Sequence, residues 1–522
     1  MLATLLILIT ATQAADTAPP AHDALHHDIT LVPSDTGAHL LGEVETAWRL
    51  RSGDPVTALL DSAMRVVRVL VDGRPNTRLS RTMYGRSEVD VIVPHQKAAG
   101  DSITTRIRYH GSALDAARLG PNQYGDRTIA VESWPDRARF WFPAPHAALD
   151  RASAAFKVQA PLGQQVIANG VLLEVDTLPY AHATWHYRMD SPIPAALLAV
   201  GIGRFAVAST RRGQCAEDCV PVGVWSYPQD SAYAVTGPFR RAGEMVDWLS
   251  GLIGPFPYRG LSHVEAPVRS ASPRGATTVL YSEERYRSRT LDERLVARAT
   301  AHQWFGAAVT EADPRDRWLS DGLSSYLAAL WQGHADGDSA FQASMREAGA
   351  TVIGSRLAEQ PVQAAGTDSL PADLGPRGAW VLHQLRAIVG DSAFLGGLRR
   401  FYQAFRDSSA TSADFARIAS QAAGQDLDWY FRQALTQPGH PVLDLRWRRD
   451  GRRLVLEVTQ VQKPEWGTFR LPGLLVRIDG KPVRLDVEGR RFREVLEGFS
   501  GRPRMVELVA RNPWLVEVRS KN

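Results

Sequence analysis

The sequence predicts a multidomain α+β protein. An N-terminal antiparallel β domain spans residues 16–208, a mainly α-helical domain 209–438, and a small C-terminal β-sandwich 439–522. Three observations lead there. A chain of 522 residues exceeds what one hydrophobic core serves, so roughly two to four domains are expected. Apolar and polar residues alternate through the first part of the chain and follow helical spacing through the middle. Finally, Pro438-Gly439-His440-Pro441 ends the helical region and strand patterns resume after it.

Residues 1–15 read as a secretory signal: an apolar run from Leu2 to Ile9, then Ala-Thr-Gln-Ala. That run is too short to span a bilayer, and no later segment is long enough, so the expectation is an exported protein, periplasmic or secreted. From His26 to about Ala208, ITLVP, VDVIVP, TTRIRYH, AAFKVQAP, AHATWHYRM and ALLAVGIG are strands separated by Gly, Pro and Asp. Thr290-Leu291-Asp292-Glu293 reads as a capping box opening a helix, and 378–389 and 390–405 as two further helices. LVLEVTQV, FRLPGLLVRI, PVRLDVEG and MVELVARN supply the final sandwich.

Sixty basic and 56 acidic residues give a formal charge of +4 without a basic run. Nucleic-acid binding, which needs a clustered patch, has no support. The two cysteines, Cys215 and Cys219, are expected to form a local disulfide in an exported protein. His22, His26 and His27 precede the predicted first strand and are expected to fray. His182 and His186 share one face of a strand but lack a third ligand there. No phosphate loop, nucleophile elbow or Ser/His/Asp arrangement occurs.

The informative stretch is Leu295–Gly306, LVARATAHQWFG, followed by WLSDGLSSYL around Asp321. With SWPDRARFWFP, PRGAWVLHQLRAIVGDSAFLGGLRRFY and DLDWYFRQALTQPGHPVLDLRW in the same order, the chain resembles the alanyl aminopeptidase family of gluzincin zinc peptidases. The resemblance implies a thermolysin-like middle domain. The family places HExxH on one helix and a glutamate nineteen residues beyond the second histidine. His302 and Asp321 take two of those positions, whereas Arg298 stands for the first histidine and Ala299 for the catalytic glutamate.

By the same resemblance, Gly375 of Gly375-Pro376-Arg377-Gly378 stands for the family's oxyanion tyrosine. Arg274 of Ala271-Ser272-Pro273-Arg274-Gly275 stands for the glutamate that holds the substrate amine. A catalytic zinc needs three protein ligands and an open position. A guanidinium at 298 is a permanent cation about 4 Å from where a dication would sit, costing several kcal/mol even at an effective dielectric of about 20. Ala299 cannot move a proton, and losing such a base costs roughly 10²–10⁴-fold.

The implied reading is an exported aminopeptidase-family protein without catalytic residues, metal or cofactor, which binds a peptide, an acidic ligand or a protein partner in the interdomain cleft. The alternative is a metal-dependent peptidase with an atypical site, in which zinc is retained. His302 as a hydrogen-bonded core histidine, Arg298 paired with Asp321, and Arg274 either facing the cleft or turned to solvent are the local expectations.

Overall fold

The computed structural model describes residues 22–519 apart from 77–79, 85–87, 113–116, 147–148, 211–218, 270–271, 364–372, 499–500 and 510–512. The expected signal at 1–15, and Cys215 of the expected Cys215–Cys219 pair, lie outside the described residues.

Alternation becomes sheet as expected. Along Arg151–Pro161 every second side chain (Ala152, Ala154, Phe156, Val158 and Ala160) is buried. This strand belongs to an eight-stranded sheet in the order Val171–Leu178, His182–Pro194, Arg151–Pro161, His22–Pro33, His39–Leu50, Ser102–Ser112, Met64–Val71, Arg74–Pro75. Two findings correct the sequence reading. The sheet is mixed, because His22–Pro33 runs parallel to Arg151–Pro161. The N-terminal histidines also do not fray: the strand begins at His22 and pairs on both edges, leaving His22 and His27 only 5% and 2% exposed. Two smaller sheets complete this region, Gln165–Ala168/Ala199–Gly203/Arg127–Glu132/Ala117–Pro121 and Val56–Asp61/Glu88–Val93/Ser80–Tyr84.

A fourth sheet, Ala206–Ser209/Val222–Ser226/Leu261–Ala266/Thr278–Ser282, opens the helical region; its first strand crosses the expected boundary at 208/209. Around it lie α1 (Ser231–Thr236), α2 (Ala242–Ile253), α3 (Glu283–Arg287), α4 (Glu293–Ala301), α5 (Trp318–Asp336), α6 (Asp338–Ile353), α7 (Gly375–Val389), α8 (Asp391–Phe405), α9 (Ser412–Ala423) and α10 (Asp428–Thr436). The residue capping α4 is Asp292, whose side chain accepts from the Leu295 N–H at 2.8 Å, rather than Thr290 of the expected box. Helices α5 and α7 cross glycine on glycine: a Cβ on Gly322 would stand 2.7 Å from the Gly378 Cα. After Pro441, strands Arg491–Leu496/Arg453–Gln460/Val442–Asp450/Glu517–Val518 face Lys481–Val487/Leu471–Ile478/Val506–Leu508 over buried Leu445, Leu456, Leu474 and Val476.

Polar side chains tie the β region to the helical one. Asn169 donates to the carbonyls of Leu197 and Ala276 (3.0 and 2.6 Å), and Thr277 accepts from the Gly170 N–H at 2.7 Å. The Gln123 amide donates to both Asp230 and Glu265 (3.0 and 3.1 Å). Burial, with Asp230 beside it, pushes the Glu265 carboxyl up to about 9.

Gly322→Ala is expected to destabilise the protein by about 1–3 kcal/mol through overpacking, read as a lower urea midpoint at unchanged slope. The Glu265 shift has a definite sign. The folded state keeps a proton that the unfolded chain releases near 4.5, so stability falls as pH rises from there toward about 9. Glu265→Gln should flatten that decline, and parallel pH–stability curves for the two proteins would contradict it.

Candidate functional site

Helix α4 ends at Ala301, and His302 is its C-cap, with its N–H bonded to the Arg298 carbonyl at 2.9 Å. The chain then turns sharply through Gly306, whose φ of +125° suits glycine and whose missing Cβ would stand 2.2 Å from His302 Nε2. His302 is 3% exposed, and among the described residues neither ring nitrogen has a hydrogen-bond partner. It is therefore a buried histidine, as one expectation had it, but not a hydrogen-bonded one. Burial, then Arg274 and Arg298, hold its pKa well below the ordinary value, so the ring is neutral. Ala299 is buried, and Gln303 beside it fastens α4 to the 274–278 segment: its amide donates to the Gly275 carbonyl and accepts from the Thr277 N–H (2.8 and 2.9 Å).

Asp321 lies in the first turn of α5 and is completely buried. Such a carboxylate needs compensating charge. Three arginines from three segments provide it. Arg274 makes a short charge-assisted hydrogen bond to Oδ1, Arg298 Nη2 stands 3.6 Å from the same oxygen, and Arg317 Nε is 3.4 Å from Oδ2. The expected Arg298–Asp321 ion pair is thus present, but Arg274 is the closer partner. Arg274 itself neither lines an open cleft as a free cation nor swings to solvent. Its side chain is 6% exposed, and its guanidinium lies 4.4 Å over the Trp134 ring. Among the described residues, its Nε and Nη1 have no hydrogen-bond partner.

The planar face of Arg298 is taken by a residue that sequence reasoning missed. Asp373 accepts from both terminal nitrogens, at 2.7 and 2.6 Å, and from the Gly375 N–H at 2.9 Å. Although burial pushes the Asp373 carboxyl up, Arg298 and the Gly375 N–H outweigh it and hold it down at about 2. Gly375 explains itself here. A Cβ there would stand 2.3 Å from Ser325 Oγ and 2.9 Å from both Arg298 Nη2 and Asp373 Oδ1, so any side chain would break the fork. The sequence carried a weak signal for Asp373, a carboxylate two residues before a helix-starting Gly-Pro.

A pocket of about 330 Å³ opens beside this fork. Its floor is apolar (Leu295, Ala328, Met345 and Ala348), and the ion pairs Arg298–Asp373 and Arg294–Glu347 stand on its walls. Helices α4–α7 line it, not the β region, so it is not the interdomain cleft expected from sequence.

The donor set does not fit a catalytic zinc ion. Among the described residues, no three His, Cys, Asp or Glu side chains converge around His302 and Asp321. The Asp321 carboxylate is shared among guanidinium groups, and Arg274 and Arg298 both act on His302 as neighbouring cations.

Residues 276–433 match the peptidase family M1 domain. The probable aminopeptidase 1 of Sulfurisphaera tokodaii is 23% identical over 375 residues, covering 66% of this chain and 46% of that protein. The chain spans about half the length of the curated relatives it matches, or less. In fold it is similar to the M1 zinc metallopeptidase of Deinococcus radiodurans (TM-score 0.68, 24% identity, covering 81% of this chain and 95% of that one). It is also similar to Legionella pneumophila aminopeptidase A in complex with aspartic acid (TM-score 0.79, 16% identity, covering 97% and 60%).

Removing the shared carboxylate tests the arginine cluster. Asp321→Ala leaves two buried guanidinium groups short of a partner and is expected to cost roughly 3–5 kcal/mol. In an Arg274→Met background the same change should cost clearly less, because the two sites are coupled. Additive losses in denaturant unfolding would contradict this account.

Proposed function

We propose that this chain is a binding member of the alanyl aminopeptidase family of gluzincins rather than a peptidase. The observation that carries the reading is the state of Asp321. The one carboxylate left at a metal-ligand position is engaged by Arg274 and Arg298, and Arg298 is fixed in turn by Asp373. A dication entering there would meet guanidinium groups before it met ligands. Ala299 supplies no proton acceptor at the catalytic-base position, and Gly375 no hydroxyl at the oxyanion position.

What the site retains is shape. The 330 Å³ pocket falls within the range of small-ligand sites, with an apolar floor for a side chain and charged pairs on its walls for a backbone or a polar end. A peptide segment matches that lining best. An acidic group would find the unpartnered Nε and Nη1 of Arg274 only by reaching a largely buried guanidinium, which makes it the less favoured ligand. Export, the setting in which we read this role, rests on the leader-like residues 1–15.

Elemental mass spectrometry of purified protein, prepared without chelator, is expected to find no zinc held by the His302–Asp321 neighbourhood, and aminoacyl and peptide substrates should remain uncleaved with or without EDTA. Ala299→Glu alone should leave hydrolysis undetectable. About one zinc per chain that disappears in His302→Ala, together with EDTA-sensitive hydrolysis, would make the protein a metal-dependent peptidase with an atypical site.

A further inference from the structure

The edge of the eight-stranded sheet carries a group of side chains far from the arginine cluster. Strand Val171–Leu178 is the outermost strand and pairs antiparallel with His182–Pro194. In that register Glu174 lies directly opposite His186, and Asp176 lies opposite Thr184, two positions further along the same faces. One ligand atom from each of Glu174, Asp176 and His186 can be chosen so that all lie within 4.8 Å of one another, and His186 Nε2 is 3.0 Å from Asp176 Oδ2.

The charges around this group are otherwise settled. Lys157, opposite His186 on the next strand, pairs with Asp28 at 3.0 Å, and Arg188 pairs with Asp190 at 2.6 Å. His182 pairs with Asp35 at 3.0 Å and takes no part. Among the described residues, the two carboxylates on the edge strand therefore share one imidazole and no lysine or arginine. His186 Nε2 is shut off from solvent and makes no hydrogen bond of acceptable geometry, although the carboxylates beside it are exposed. A nitrogen donor facing two oxygen donors on a rigid sheet suits a first-row transition dication, with water completing its coordination.

We propose that Glu174, Asp176 and His186 form a surface site for a transition-metal dication such as Zn²⁺. The ion would neutralise the paired carboxylates and clip the edge strand to its neighbour. Because the site is built from the β region, it is independent of the reading given for the helical one.

The test is titration of the chelator-treated full chain with Zn²⁺ by calorimetry, and with Cu²⁺ followed by electron paramagnetic resonance. One ion per chain is expected, with a nitrogen hyperfine signal from one imidazole. His186→Ala should remove that signal, and His186→Ala and Asp176→Asn should each weaken binding by about tenfold or more. Because these side chains lie at the surface, both variants should melt like the parent without metal, and only the parent should gain melting temperature with Zn²⁺. Failure to bind, or unchanged affinity in His186→Ala, overturns the proposal. Zinc lost instead in His302→Ala overturns it too, and the reading of the helical domain with it.

Discussion

A single carboxylate with no access to water organises the helical domain. Asp321 must be surrounded by positive charge, and the groups that surround it come from the 272–278 segment, from α4 and from the turn before α5. The constraints then propagate. Arg298, drawn toward Asp321, presents its fork to Asp373, and the fork leaves no room for a side chain at 375. Position 375 opens α7, and three residues on, Gly378 meets Gly322, the residue next to Asp321. The circuit closes where it began, so charge compensation and backbone contact fix the same two helices.

A different device joins the β region to this core. There neutral amides take part: the Gln123 amide bridges Asp230 and Glu265, Asn169 spans two carbonyls, and Arg289 pairs with Asp230 at 3.2 Å. Burial, with Asp230 beside it, raises Glu265, whereas at Asp373 Arg298 and the Gly375 N–H outweigh burial and lower it. Glu265 and Asp373 thus answer oppositely to acid.

Much of the architecture was legible because it depends on local pattern. Alternation marked Arg151–Pro161, and helical spacing with Gly390 at the break marked α7 and α8. The readings that failed, or that held but missed a second partner, depend on partners far along the chain. His22–His27 look like a polar leader until the strand is flanked by 39–50 and 151–161. Arg298 reads as a partner of Asp321 because helix spacing and motif point that way, but its bidentate partner lies 75 residues on. Arg274 could be placed only by seeing Trp134 beneath it.

The closed circuit also bears on history and on engineering. A network in which each charge is neutralised by the next resists one-step repair. Replacing Arg298 with histidine would strand Asp373's partner site, and replacing Arg274 would leave Asp321 leaning on weaker contacts at 3.4 and 3.6 Å. Breaking a buried pair from one side typically costs about 3–5 kcal/mol, a large part of the roughly 5–15 kcal/mol that holds a domain folded. Dismantling the network without loss of stability would need several simultaneous changes, so the fold itself guards its arginines.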